Sequence, residues 1–325
     1  MAYGLLMGVK NMDLVTHGVI GLALGSLTGG PSLLQNPMAL GSFIGSIMPD
    51  GDIIFQLNGN YCYLKNHRSA SHSVPIAAGL SFVVSAILSY IFSGYSIWSI
   101  FAWTFLGYLV HMGLDLFNSY GASVLWPFKR KKYKSALLMS FDPIIFLAFI
   151  AIYIGNRKYL WITAASIVIL VFYLLFRYLA RKRVRKSLKQ YFNLDSSCKI
   201  VVLPSALRFF KWDFIIYKDR HIITGQVSFI RNKAVVRNRF VRSETHLNKL
   251  VMDTPLGKFF KEFSPYYHIQ WKREGENYCA IISDLRYFIK GNYLYNGAVL
   301  FNSYLEPIKY IFKPYNLGKK IKIPI

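Results

Sequence analysis

His111, Asp115 and Asn118 fall in the stretch His111-Met112-Gly113-Leu114-Asp115-Leu116-Phe117-Asn118, at the end of an apolar run that begins near Ile97. In a helix their spacing is i, i+4 and i+7, which places an imidazole, a carboxylate and an amide on one face. An ionisable side chain within a membrane span costs roughly 2.5–3.5 kcal/mol on insertion scales, so residues of this kind mark functional positions. Others stand upstream: His17, then Asp50 and Asp52 in Pro49-Asp50-Gly51-Asp52, then His67, Arg68 and His72 between Asn66 and Ser73.

Imidazole nitrogen with carboxylate oxygen suits a divalent metal at about 2.0–2.2 Å, zinc first, with manganese and iron as alternatives. The candidate metal ligands are His17, Asp50, Asp52, His67, His72, His111 and Asp115. They outnumber the roughly four that one zinc takes, so one or two ions are expected. The Asp50-Gly51-Asp52 pair can set one carboxylate on a metal and the other on a second metal or on a ligand histidine. His111 and Asp115, fixed on one helical face, are expected to be direct ligands. A bound water brought toward pKa about 7 would be the nucleophile, with His72 or an uncommitted aspartate such as Asp52 moving the proton. Arg68, always charged, suits an anionic substrate oxygen, and Asn118 could orient a ligand or hydrogen-bond substrate.

The elements that must position these residues are read from hydropathy and charge. The chain has 325 residues, 54% of them hydrophobic, and a formal charge of +24. Mean hydropathy is positive, at +0.31, which predicts an integral membrane protein with room for a second domain. Residues 1–189 hold 17 Lys and Arg against five acids, all aspartate: Asp13, Asp50, Asp52, Asp115 and Asp142. Apolar runs cover Leu14–Leu27, Met38–Phe55, Val74–Phe92, Ser96–Phe117, Phe141–Gly155 and Tyr159–Leu179. Basic loops, Lys129–Lys134 and Arg181–Lys186, follow the fourth and sixth runs. The positive-inside bias then predicts about six spans with both ends in the cytoplasm. In that topology the His and Asp residues converge at the cytoplasmic level, although only Lys and Arg set it.

After Gln190 the pattern turns strand-like at Lys199–Leu203, Phe209–Tyr217, Ile222–Ile230, Tyr266–Trp271 and Tyr278–Ser283, with helices at Glu244–Met252 and Leu256–Phe263. The predicted fold class is an α-helical polytopic membrane domain, residues 1–189, followed by a small α+β, β-rich cytosolic domain, residues 190–325. His221, His246 and His268 lack ligand spacing and are read as surface or core residues. Cys62, Cys198 and Cys279 form no CxxC pair and are read as free thiols. No cleavable signal peptide is evident.

These motifs together resemble a known family. Thr16-His17-Gly18, Pro49-Asp50-Gly51-Asp52, Asn66-His67-Arg68-Ser69-Ala70-Ser71-His72-Ser73 and His111 through Asn118 with Tyr120-Gly121 are similar to the YdjM-like bacterial membrane-bound metal-dependent hydrolases. Trp126-Pro127-Phe128 and Phe141-Asp142-Pro143 resemble the YfhP-like subgroup, which adds a cytosolic tail domain. The resemblance implies a multi-pass plasma-membrane protein with a metal and a hydrolytic activity. Membrane lipids and an amphiphilic or phosphate-containing substrate are the expected partners. The alternative is a membrane-anchored regulator or sensor whose basic domain binds anionic lipid or, less favoured, DNA. No helix-turn-helix is evident.

Overall fold

The structure, a computed structural model, describes residues 2–30, 32–156, 158–206, 208–231, 233–242, 245–289, 291–314 and 321–323, with the backbone alone for 2–13, 245 and 321–323. The chain forms two compact units. One is Met7–Leu57 with Asn66–Leu179; the other is Met1–Leu6, Asn58–Lys65 and Ala180–Ile325.

The first unit is helical. Its helices are α1 (Ala2–Ser26), α2 (Pro37–Ile47), α4 (Val74–Ile91), α5 (Ile97–Phe117) and α6 (Pro143–Gly155). The short α3 (Asn60–Asn66) and the long α7 (Leu160–Tyr191) complete the described helices before the sheets. Asn36 opens α2, its side chain accepting from the Met38 and Ala39 amides, with Pro37 at the first helical position. The run read as one apolar segment, Met38–Phe55, does not form one α-helix. α2 stops at Ile47 and a 3₁₀ stretch covers Met48–Asn58, because Pro49 cannot donate to the helical ladder. This irregular stretch carries Asp50 and Asp52.

Among the described residues, four segments are long and apolar enough to cross a membrane: Pro37–Asn58, Val74–Ile91, Ile97–Phe117 and Leu160–Tyr191. Pro143–Gly155 is apolar but shorter, and Leu14–Ser26 is the apolar C-terminal part of α1. Pro143–Gly155, at 13 residues, rises about 20 Å, against a hydrocarbon core of about 30 Å. The expected count of about six spans is therefore not confirmed; four candidate spans are found among the described residues.

α2 and α5 touch backbone to backbone. A Cβ on Gly45 would overlap the Thr104 carbonyl, and one on Gly107 the Ser42 carbonyl. Only glycine permits this approach.

In the second unit, β1 (Lys199–Pro204), β2 (Lys211–Lys218), β3 (His221–Ser228) and β4 (Ala234–Val241) make an antiparallel meander. Ala180, Val184 and Leu188 of α7 join its core with Trp212, Phe214 and Ile216. A five-stranded sheet has the order β11-β10-β9-β6-β5, from β5 (Tyr267–Glu274), β6 (Asn277–Asp284), β9 (Asn296–Phe301), β10 (Pro307–Lys313) and β11 (Ile321–Ile323). β7 (Phe288–Ile289) pairs with β8 (Asn292–Tyr293). Two helices, α8 (Thr245–Asp253) and α9 (Pro255–Phe263), precede β5. Phe259 and Phe260 of α9 are buried with Phe312 of β10. Glu244, which the sequence placed in a helix, lies outside the described residues.

The glycine contact yields a test. Gly45→Leu should lower thermal stability in detergent, with a cost of about 1–3 kcal/mol for overpacking. Gly79→Ala, where a Cβ meets nothing within 4 Å, should leave the melt unchanged or raise it slightly. Equal melting of both variants would contradict the close approach of α2 and α5.

Candidate metal centre

The cluster is assembled from α1, the 3₁₀ stretch after α2, the loop before α4, and the end of α5. Among the described residues, three groups place their ligand atoms within 4.8 Å of one another: His17, Asp50 and His111; His72, His111 and Asp115; Asp50, Asp52 and His67. The structure thus brings all seven sequence-derived candidates together, as overlapping groups that share Asp50 and His111.

The middle group has the tightest geometry. His72 Nε2 lies 2.9 Å from Asp115 Oδ2 and 3.2 Å from His111 Nε2, and His111 Nε2 is 3.7 Å from Asp115 Oδ2. Asp50 Oδ1 lies 3.8 Å from both His72 Nε2 and His111 Nε2. Two ligands on one tetrahedral zinc stand about 3.3 Å apart, given bonds near 2.0–2.1 Å.

Neighbouring groups decide which ring nitrogens carry hydrogen. His111 Nδ1 is 2.6 Å from the Ser46 carbonyl oxygen, which can only accept, so Nδ1 holds the proton. Ser71 Oγ donates to Asp52 Oδ2 at 3.0 Å, so the same oxygen accepts from His72 Nδ1, also at 3.0 Å. Burial pushes the His72 imidazole down to about 4, with the Asp115 carboxylate opposing. The His72 ring is then neutral near pH 7, and with Nδ1 of each ring holding a proton the two Nε2 atoms face each other and two carboxylate oxygens. Four acceptors aimed at one point repel unless a cation stands between them. A single proton serves one pair; a divalent ion serves all four. The donor set therefore fits a divalent metal.

The two oxygens of Asp115 have separate partners. Oδ1 accepts from Asn118 Nδ2 at 3.1 Å and pairs with Arg68 Nη2 at 2.9 Å, while Oδ2 faces the histidines. Asn118 does not share the helical face assigned by its i+7 spacing. α5 ends at Phe117 and Asn118 is its extended C-cap, its Oδ1 held by the Tyr120 and Gly121 amides at 2.9 and 3.0 Å. It reaches Asp115 from outside the helix.

Asp52 acts on the loop. It accepts from His67 Nδ1 at 2.9 Å and from the Arg68 amide at 3.0 Å, besides Ser71. These bonds hold Arg68 at a backbone φ of +59, which an arginine seldom adopts. The guanidinium is turned inward, 2% exposed, 5.5 Å from the centre of the Tyr120 ring. Lys132 Nζ donates to the His67 carbonyl at 2.7 Å. His17 stacks on His111, ring centres 3.6 Å apart, and its Nε2 is 3.9 Å from Asp115 Oδ1.

Sequence reasoning missed Ser71, the Ser46 carbonyl, and Tyr108, whose hydroxyl donates to the Ser71 carbonyl. Ser71 directly precedes a candidate ligand, which was a usable signal; the Ser46 carbonyl left none. Asp142, which the charge pattern put at the same level, is in none of the three groups. It caps α6 through the Ile144 and Ile145 amides and accepts from Tyr173 at 2.6 Å. It also lines a cavity of about 30 Å³ with His17, Asp115 and Asn118, room for about one or two waters. His221, His246 and His268 lie in the sheet-bearing unit, His268 stacked on Phe240. Among the described residues Cys62, Cys198 and Cys279 form no disulfide.

Apolar helices that gather histidines and aspartates into one buried donor set define a membrane protein with a candidate metal centre. The chain belongs to the YdjM inner membrane protein family, whose model matches residues 12–184, more than half of its length. Residues 247–321 match the YfhP C-terminal alpha/beta plait domain. The Bacillus subtilis (strain 168) protein bearing the name Uncharacterized protein YfhP is 29% identical over 333 residues, covering 96% of this chain and 99% of that protein. No solved structure matches.

Replacing Asn118 with Ala frees Asp115 Oδ1 from one of its two holds while leaving Oδ2 in place. Zinc affinity measured by competition with a chromophoric chelator should fall about 10–100-fold. Unchanged affinity would remove Asn118 from the orientation of the ligand.

Proposed function

We propose that the protein is a membrane-bound metal-dependent hydrolase, acting at the cytoplasmic face of the membrane on a phosphoester or lipid-linked phosphate. The supporting observation is the convergence of His72 Nε2, His111 Nε2, Asp115 Oδ2 and Asp50 Oδ1, within 3.8 Å along the measured edges. His72, His111 and Asp115 would hold one ion; Asp50, Asp52 and His67 form a separate triad for a second. A bound divalent ion supplies an activated water and neutralises developing charge on a phosphoryl group.

The chain's own groups do the rest. Arg68 sets a fixed positive charge 2.9 Å from Asp115, where it can take a phosphoryl oxygen. Asp50 is 14% exposed while His72, His111 and Asp115 are sealed, so it meets both the cluster and solvent and is placed to accept the proton of an attacking water. Asn118 and Ser71 fix the orientation of Asp115 and His72. The site stands where the apolar segments α4 and α5 begin and end, a depth that favours an amphiphilic substrate. The basic loops flanking the apolar helices support the cytoplasmic assignment.

Purified protein loaded with zinc or manganese should turn over members of a panel of phosphomonoesters, phosphodiesters and lipid pyrophosphates. Asp115→Ala should lose both metal and turnover. Arg68→Ala should keep its metal and lose turnover at least tenfold. A fully loaded protein inert on the whole panel would end the hydrolase reading, and metal loss in Arg68→Ala with retention in Asp115→Ala would reverse the roles.

A further inference from the structure

The segment between α5 and α6 carries a hairpin that the metal cluster does not use. Ala122 and Tyr133 form an antiparallel bridge, their amides and carbonyls paired at 3.0 and 2.9 Å. The chain between them folds tightly, with the Trp126 amide on the Ser123 carbonyl and the Lys129 amide on the Leu125 carbonyl. Its tip is apolar and outward: Leu125 is 40% exposed and Phe128 82%. Pro127 is exposed between them, and Lys129, Arg130 and Lys131 follow, all exposed. Residues 122–133 contain no acid.

The base of the hairpin is tied to the cluster's loop and to the start of a span. The Val74 amide donates to the Val124 carbonyl at 3.0 Å, and the Ser123 amide donates to the Arg68 carbonyl at 3.1 Å. Lys132 reaches the His67 carbonyl. Val74 begins one candidate span and Phe117, five residues before the hairpin, ends another. The tip therefore stands at the level where the spans enter and leave the hydrocarbon. Exposed aromatic and aliphatic side chains next to a run of cations suit that boundary: the rings enter the interface and the cations meet phosphate-bearing headgroups. Bulk water would meet 82% of a phenylalanine with no return.

We propose that residues 122–133 grip acidic phospholipid. Leu125 and Phe128 insert at the boundary between headgroup and acyl chain, and Lys129, Arg130 and Lys131 hold the anionic headgroups beside His67 and Arg68. The charge of the tip selects the occupant: three adjacent cations without an acid match an anionic leaflet. This assignment is independent of hydrolysis at the cluster.

The test uses the full-length chain with Cys62, Cys198 and Cys279 replaced by Ser, carrying a spin label through Phe128→Cys. It is read in nanodiscs of phosphatidylcholine alone or mixed with phosphatidylglycerol. Power saturation compares collision with oxygen and with a water-soluble nickel chelate. The label at 128 should favour oxygen, and more strongly when phosphatidylglycerol is present. Replacing Lys129, Arg130 and Lys131 with Gln should abolish that lipid dependence. A label through Tyr304→Cys, at a position 85% exposed in the sheet-bearing unit, should stay open to nickel throughout. A second label through Leu125→Cys repeats the measurement should the first variant fold poorly. Nickel access at 128 and 125 equal to that at 304 would overturn the insertion and leave the tip to a soluble partner. Insertion indifferent to phosphatidylglycerol and to charge removal would overturn the acidic-lipid assignment.

Discussion

A carboxylate sealed from water must be neutralised where it stands, and Asp115, 1% exposed, sets that requirement for the whole cluster. Its Oδ1 is answered by Arg68 and Asn118, while its Oδ2 faces the Nε2 atoms of His72 and His111, where a cation would answer it. Arg68 can point inward only because its backbone is held at positive φ, and that conformation is fixed by Asp52 on its amide and by Ser123 on its carbonyl. One buried charge thus explains why the irregular 3₁₀ stretch, the loop before α4 and the hairpin after α5 come together around it.

The histidines obey a second constraint, set by how near the helices approach. Gly45 and Gly107 let the α2 and α5 backbones touch, and the adjacent Ser46 then presents its carbonyl to His111. That bond places the proton on Nδ1 and turns the Nε2 lone pair toward His72. Ser71, oriented by Asp52, does the same for the His72 ring. Local packing therefore decides the protonation pattern, and the pattern creates the need for a cation. The same neighbours lock ring orientation, so the donors are set before any ligand arrives.

Much of the site was legible because membrane helices tolerate few polar residues: a histidine or an aspartate inside an apolar run is conspicuous. His111 and Asp115 were readable from i, i+4 spacing alone. Asn118 was named for the right neighbour by the wrong route, since the helix stops one residue before it. The inward turn of Arg68 was invisible, because nothing in Asn66–Ser73 signals a left-handed arginine. The count of about six spans is not confirmed: four segments qualify among the described residues, and Pro143–Gly155 is apolar in composition but short for a span. In the sheets, β1, β2, β3, β5 and β6 follow apolar alternation and were found. β4 was not, since Arg237 and Arg239 interrupt its pattern, nor were β9 and β10.

The central claim, that this donor set holds a divalent ion, is tested most directly by elemental analysis of the purified full-length chain. Zinc, manganese or iron should be found at one or two equivalents per chain, and His72→Ala combined with His111→Ala should reduce it to background while the protein remains folded. A wild-type chain that carries no metal as purified and takes up none of the three ions on titration would contradict the account.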